Sequence, residues 1–140
     1  MKHIQTLTLL AAVFFIASCK GGSDGRTGSR KARIEFADTL HDFGDIAFSS
    51  EGSYEFVFTN TGRKELLLRN VKSTCGCTVP EWPHEPVAPG DTAGILVKYD
   101  TRRVGAFSKS VYVYSNAVNS PNRLLIRGRV ETAQPADQTQ

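Results

Sequence analysis

Apolar and polar residues alternate in short runs between Ile34 and Val130, and turn-forming residues separate these runs. In the stretch SYEFVFTN, Tyr54, Phe56 and Phe58 fall on one side, with Glu and Thr on the other. Successive side chains of a β-strand point to opposite faces, so a period of two predicts half-buried strands. The spacing of three to four residues that marks an amphipathic helix does not occur in this region.

The same alternation recurs in further runs, which read RIEFA, LHDFGDIAF, ELLLRNV, ILVKYDT, AFSKSVYVYSN and RLLIRGRV. Gly44 predicts a bend in the second of these runs, and the mostly apolar ELLLRNV predicts a central strand. Pro89 and Gly90 suit the middle of a type II turn. About seven short strands are typical of an immunoglobulin-like antiparallel β-sandwich, so we predict one all-β domain over residues 34–131.

The start of the 140-residue chain has a different pattern, an apolar run from Leu7 to Ile16 after a short basic stretch. This run is too short to cross a bilayer core of about 30 Å as a helix and is typical of an export signal. It ends in IASC, which resembles the bacterial lipobox. We therefore predict a signal peptide over residues 1–18 and a lipid, such as palmitate, on Cys19.

A lipid on Cys19 would anchor the protein in a membrane of the cell envelope, with the domain outside the cytoplasm, and we favour the outer membrane. Residues 19–33 are rich in Gly, Ser and basic residues, which predicts a flexible tether, and residues 132–140 predict a disordered tail. The formal net charge of +3 arises mainly from the tether. We therefore expect no nucleic-acid partner.

If Cys19 carries lipid, Cys75 and Cys77 are the remaining pair that can bond within the chain. Residues i and i+2 of a regular strand lie about 6.6 Å apart with parallel side chains, which does not suit a disulfide. Gly76 between them would allow the chain to bend. Three interpretations stay open: a disulfide that fixes the following loop, two free thiols, or a chemically active pair.

An active pair would exchange disulfides or hold a soft metal ion such as Cu(I) or Zn. His84 and His41 are the candidate additional ligands, but a zinc site normally shows two ligand pairs. A redox pair needs a cation or a helix N-terminus beside it, and Lys72 is the nearest candidate. We therefore predict no bound metal and no cofactor.

Catalytic motifs are missing from the sequence. The tripeptide Asp42-Phe43-Gly44 occurs without the other kinase motifs, and the Gly-x-Ser-x-Gly elbow of hydrolases is absent. We expect no catalytic residues and no enzyme activity.

The stretch PEWPHEP places Trp82, Pro83 and His84 on a proline-stiffened loop. A Trp in this position either closes the end of the sandwich or forms an exposed anchor for a partner, where Trp is enriched. These three residues are our candidate partner-binding site.

Several of these stretches together resemble domain-of-unknown-function family 1573, most specifically through STCGCTVPEWP and also through FADTLHDFGDI, FVFTNTG, VAPGDTAGILVKYDT, GAFSKSVYVYSN and LLIRGRV. The resemblance implies an exported, often lipid-anchored bacterial protein with a sandwich related to the PapD, major sperm protein and ciliary domains. It implies no particular activity. We expect a lipid-anchored structural or protein-binding module of the cell envelope; the alternative is a thiol-redox or metal-handling protein that uses Cys75 and Cys77.

Overall fold

The computed structural model describes residues 31–132. The predicted signal peptide, Cys19 and the tether up to residue 30 lie outside the described residues, as does the tail from residue 133. Within the described range, we find no helix that is long and apolar enough to cross a membrane.

Eight β-strands form two four-stranded sheets, which confirms the predicted all-β sandwich. The strands are β1 (Ile34–Phe36), β2 (Leu40–Ile46), β3 (Ser53–Asn60), β4 (Leu68–Ser73), β5 (Thr78–Glu81), β6 (Thr92–Tyr99), β7 (Gly105–Ser115) and β8 (Asn122–Val130). The first sheet has the order β1-β3-β6-β5 and the second has the order β2-β8-β7-β4. The sequence pattern did not separate β5 from the loop beyond it.

The core lies between the two sheets and follows the predicted alternation. Phe56 and Phe58 of β3 and Ile95 and Val97 of β6 are fully buried. Antiparallel pairing places Phe56 opposite Ile95, so both side chains point to the same face. The core residues of the described chain all fall between Ala32 and Val130, so this segment contains a complete hydrophobic core of its own.

One strand pair departs from the antiparallel arrangement that we predicted. β2 runs parallel to β8, because only residues 37–39 separate β1 from β2 and the chain crosses to the second sheet without reversing direction. The register shifts between Asp42 and Asp45, where Gly44 has a φ of +62°. The bend predicted at Gly44 is therefore present.

β4 lies at the edge of the second sheet, although its apolar sequence predicted a central strand. The apolar residues before β4 are explained by a contact outside the strand. Leu66 is fully buried there and forms an isolated β-bridge with Val87. Leu68 is also buried, whereas Leu67 between them is exposed.

The residues just before β1 also pack against the sandwich. Residues 31–33, which the sequence placed in the tether, pack against the loop around Gly62, and the side chain of Ala32 is only 2% exposed. The backbone N–H groups of Thr61 and Arg63 donate to the carbonyls of Arg33 and Lys31.

The sandwich has two opposite ends, at which different loops come together. The N-terminal end consists of residues 31–33, 60–67, 86–91 and 116–121. The disulfide end consists of residues 47–52, 74–77 and 100–104. β7 runs from one end to the other, and its eleven residues correspond to about 33 Å.

Candidate functional site

The two neighbouring cysteines lie in the turn that connects β4 of the second sheet with β5 of the first. Cys75 and Cys77 are joined by a disulfide, and their Cα atoms are 5.3 Å apart. The N–H of Thr78 donates to the carbonyl of Cys75 over 3.4 Å, which closes the turn. The disulfide therefore lies where the chain passes between the two layers and where it can fix the start of the next loop.

Gly76 does not have the role that the sequence suggested. Its φ lies outside the left-handed region, since the glycines with positive φ in the described chain are Gly44, Gly90 and Gly105. A Cβ atom added to Gly76 would meet no other atom within 4 Å. The bend between the cysteines is thus compatible with other residue types at this position.

Hydrogen bonds fix the turn to its surroundings. The hydroxyl of Ser73 lies 2.6 Å from the carbonyl oxygens of both Cys75 and Thr78. The N–H of Asp100 donates to the carbonyl of Cys77 over 2.9 Å, which ties the turn to residues 100–104. These bonds hold the disulfide turn in one position at the end of the sandwich.

The two sulfur atoms differ in accessibility. Cys75 is half-buried, whereas Cys77 is only 6% exposed and belongs to the hydrophobic core. An external thiol would therefore attack Cys75 and release a thiolate at Cys77. Apolar surroundings disfavour a thiolate, so this geometry opposes rapid disulfide exchange.

The candidate metal ligands do not form a metal site in the described part of the chain. His41 lies on β2, where its ring stacks on Tyr54 with the centroids 3.6 Å apart. Burial lowers the pKa of His41, and the charges of Asp42 and Asp38 partly oppose this effect. Between residues 31 and 132, no three His, Cys, Asp or Glu side chains are arranged so that they could hold a metal ion.

The candidate partner-binding residues come directly after β5. Trp82 packs in part against the core, so it is closer to the predicted plug than to a free anchor. Pro83 is half-buried and His84 is exposed, with its ring 5.3 Å from that of Trp82. Val79 on β5 is 55% exposed and was not singled out from the sequence, although alternation with the inward-pointing Thr78 would have placed it outside.

Sequence reasoning also missed the other loops of the disulfide end. The N–H of Ser49 donates to the carbonyl of Thr101, and the hydroxyl of Thr101 donates to the carbonyl of Ser50. Phe48 and Val104 are exposed large apolar residues on these two loops. No pattern in the sequence indicates that these loops meet the disulfide turn, because their contacts depend on how the strands pair.

The charges at this end are organised around Asp100. Its carboxylate accepts a hydrogen bond from Nε of Arg102 at 2.9 Å and lies 3.6 Å from Nε of Arg103. The bond from Arg102 lowers the pKa of Asp100, and Asp100 raises the pKa of Arg102 in return. The disulfide end thus presents the exposed aromatic Phe48 together with arginines, and aromatic residues and arginine are enriched at protein interfaces.

The arrangement defines a class of protein: a small immunoglobulin-like β-sandwich with a disulfide-tied turn at one end. Residues 34–130 match the family described as "Protein of unknown function (DUF1573)", and the chain belongs to this family. No curated protein matches the sequence.

Solved structures support the same fold. A protein of unknown function from Porphyromonas gingivalis W83 has 13% sequence identity and a TM-score of 0.65; the match covers 77% of this chain and 51% of that one. The ASH/PapD-like domain 7 of human CEP192 has 10% identity and a TM-score of 0.63, with 95% and 100% covered. The Vibrio cholerae VesB protease has 13% identity and a TM-score of 0.56, with 71% and 32% covered.

This chain therefore spans about half of the Porphyromonas protein and a third of the protease. At these identities the likeness shows the fold alone. The match to the CEP192 domain extends over the whole of that domain.

Proposed function

We propose that the protein is a non-catalytic binding module of the cell envelope, anchored by lipid on Cys19, that presents its disulfide end to a protein partner. The observation that carries this proposal is the position of the two ends. The chain enters the sandwich at Lys31, near the start of β6, and Cys77 bonds to Asp100 just beyond the other end of β6, about 23 Å away along that strand. An anchor before Lys31 would direct the disulfide end away from the membrane.

The composition of the disulfide end supports a protein partner. Val104 is 52% exposed and Phe48 is 40% exposed on loops that hydrogen bonds hold in place. Preformed loops lose little conformational freedom on binding, which favours affinity. Val79 adds an exposed apolar side chain on β5, two residues beyond Cys77.

The edge strands argue against a partner that adds a strand to a sheet. β5 contains Pro80, which has no N–H to donate, and β4 carries Arg69 and Lys72. β1 has only three residues, and β2 is interrupted by the bulge at Gly44. Natural sheets use these devices to prevent edge pairing, so binding through side chains at the disulfide end fits better.

The disulfide itself supports a location outside the cytoplasm. Disulfides persist in the periplasm and at the cell surface and are rare in the cytosol. An outer-membrane lipoprotein that faces the periplasm fits the predicted lipobox and the oxidised pair together.

Lipid anchoring is tested by mass spectrometry of the protein purified from its native membrane. We expect a chain that starts at Cys19 and carries acyl groups, and we expect Cys19→Ala to move the protein from the membrane to the soluble fraction. An unmodified chain that starts at another residue would refute lipid anchoring.

Partner binding is tested by photo-crosslinking in cells. A photoreactive residue at Val104 or Gly76 should capture a discrete protein, whereas the same residue at Val57 should not. Val57 is a matched control because it is a comparably exposed apolar residue on the outer face of the first sheet. Capture from Val57 and not from the disulfide end would refute the assigned surface.

A further inference from the structure

An open groove of about 670 Å³ lies at the N-terminal end. Its apolar lining comes from Ala32, Leu67, Pro86 and Pro89, and its polar lining comes from Lys31, Arg63, Lys64, Glu65 and Asn116. Three of the charged side chains are basic and one is acidic, so the groove combines an apolar surface with net positive charge. We call it the N-terminal groove.

Asparagine side chains fix the backbone of this groove. The amide of Asn116 accepts a hydrogen bond from the N–H of Leu67 and donates one to the carbonyl of Glu65. The buried Asn60 donates to the carbonyl of Lys64 over 2.8 Å. The backbone that carries Lys64, Glu65 and Leu67 is therefore held in place without a ligand.

The described part of the chain begins at the groove. Lys31 lines the groove and is also the first described residue, twelve residues after Cys19. Twelve residues span at most about 43 Å when fully extended, which sets the upper limit on the distance of Lys31 from a membrane that holds Cys19, and a flexible chain of this length also allows the groove to touch that membrane. Basic side chains within a Debye length of an anionic membrane, about 8 Å at physiological salt, are attracted to it.

We propose that the N-terminal groove docks on anionic phospholipid headgroups of the membrane that holds Cys19. Lys31 and Lys64 contact the phosphates, and the exposed side chain of Leu67 and the two prolines face the upper part of the acyl region. The orientation rests on the proposed anchor, but the affinity for lipid belongs to the groove itself. Docking would keep the disulfide end pointing away from the bilayer.

The test uses the chain from Lys20 to Gln140, which contains the complete sandwich and lacks the lipid site. We expect it to sediment with vesicles that contain 30% phosphatidylglycerol, more weakly as NaCl rises, and to remain in solution with pure phosphatidylcholine. Replacing two basic residues, as Lys31→Gln with Lys64→Gln, should weaken binding about 30-fold, since each basic residue near an anionic surface contributes about fivefold.

A matched variant, Lys72→Gln with Arg129→Gln, removes the same charge from exposed strand positions away from the groove. It should bind within about threefold of the unchanged chain. Equal weakening by the two double variants would overturn the groove and indicate attraction by net charge alone. Both variants should keep the melting temperature of the parent chain.

Inorganic phosphate at 5 mM, added at constant ionic strength, should not displace the protein from vesicles. Displacement would identify a site for a free phosphate compound and overturn membrane docking. The vesicle assay uses a chain without Cys19, so a negative result in it does not bear on lipid anchoring, which mass spectrometry tests. Likewise, a negative result in the mass measurement does not bear on the lipid affinity of the N-terminal groove.

Discussion

At the N-terminal end, the side chains of Asn60, Asn116 and Asn119 join neighbouring loops through hydrogen bonds to the backbone. At the disulfide end, a covalent bond within one turn is combined with hydroxyl groups of Ser73 and Thr101. The asparagine bonds all tie segments that are far apart in sequence, and Asn60 is fully buried. At the disulfide end, the disulfide and Ser73 tie one short turn, and the Thr101 hydroxyl joins a distant residue, Ser50. The N-terminal end therefore contributes more to stability, while the disulfide end mainly fixes the shape of an exposed surface.

The largest effect is expected from Asn60→Ala. Asn60 is fully buried, donates to the carbonyls of Lys64 and Val87, and accepts from the N–H of Gly62. Its loss removes three hydrogen bonds and leaves a cavity at a fully buried position, so the free energy of unfolding should fall by about 3 kcal/mol. Urea unfolding measures this change. Asn116→Ala, at an exposed position, should cost about 1 kcal/mol, and equal costs would contradict the ranking of the two sites.

Two glycines, one at each end, give the second prediction. A Cβ on Gly62 would come within 2.4 Å of the backbone at Arg33 and Lys31, whereas a Cβ on Gly76 would meet nothing within 4 Å. Gly62→Ala should therefore destabilise the protein by about 2–3 kcal/mol.

Gly76→Ala, the matched substitution, should change the free energy of unfolding by less than about 0.5 kcal/mol. Thermal unfolding of the two variants side by side measures the difference. A large loss of stability in the Gly76 variant would mean that the cysteine turn does require glycine.

Reduction of the disulfide gives the third prediction. The bond closes so short a loop that the chain-entropy relation assigns it only about 1.5 kcal/mol. We expect the reduced protein to remain folded, with a modestly lower midpoint of unfolding and fewer crosslinks from position 76. Rapid exchange with glutathione in the native state would instead support the thiol-redox alternative, which the burial of Cys77 argues against.

The smallest effect concerns His41, which belongs to neither end. Burial lowers its pKa in the folded protein below the usual 6.5, so the unfolded chain binds more protons. The resulting stability is present above pH 6.5 and is lost as the pH falls through that value towards the folded pKa. His41→Phe should therefore flatten the decline in stability between pH 7.5 and 5, which urea unfolding across that pH range measures.

The alternation of residues was sufficient to predict the fold class, because the faces of β3, β6 and β8 depend only on local sequence. It could not predict which strands pair. The edge position of β4 and the parallel pairing of β2 depend on where the chain crosses between the sheets. Residue spacing also placed Cys75 and Cys77 close together. It attributed the bend between them to Gly76, but the backbone at Gly76 does not have the positive φ that favours glycine.

The residues that form the surface around the disulfide turn could not be predicted from the sequence. Phe48 and Val104 lie more than twenty residues from the cysteines and reach the same end only through strand pairing. Similarly, Lys31 and Lys64 border one groove because β1 pairs with β3. Contacts of this kind depend on topology, which a single sequence pattern does not specify.

The orientation of the sandwich is tested most directly by photoreactive residues at Lys64 and Gly76 of the lipid-anchored protein in intact cells. We predict that position 64 forms adducts with phospholipid and that position 76 forms adducts with protein. Lipid adducts from position 76, or protein adducts from position 64 alone, would show that the sandwich is oriented the other way and would contradict the proposed roles of its two ends.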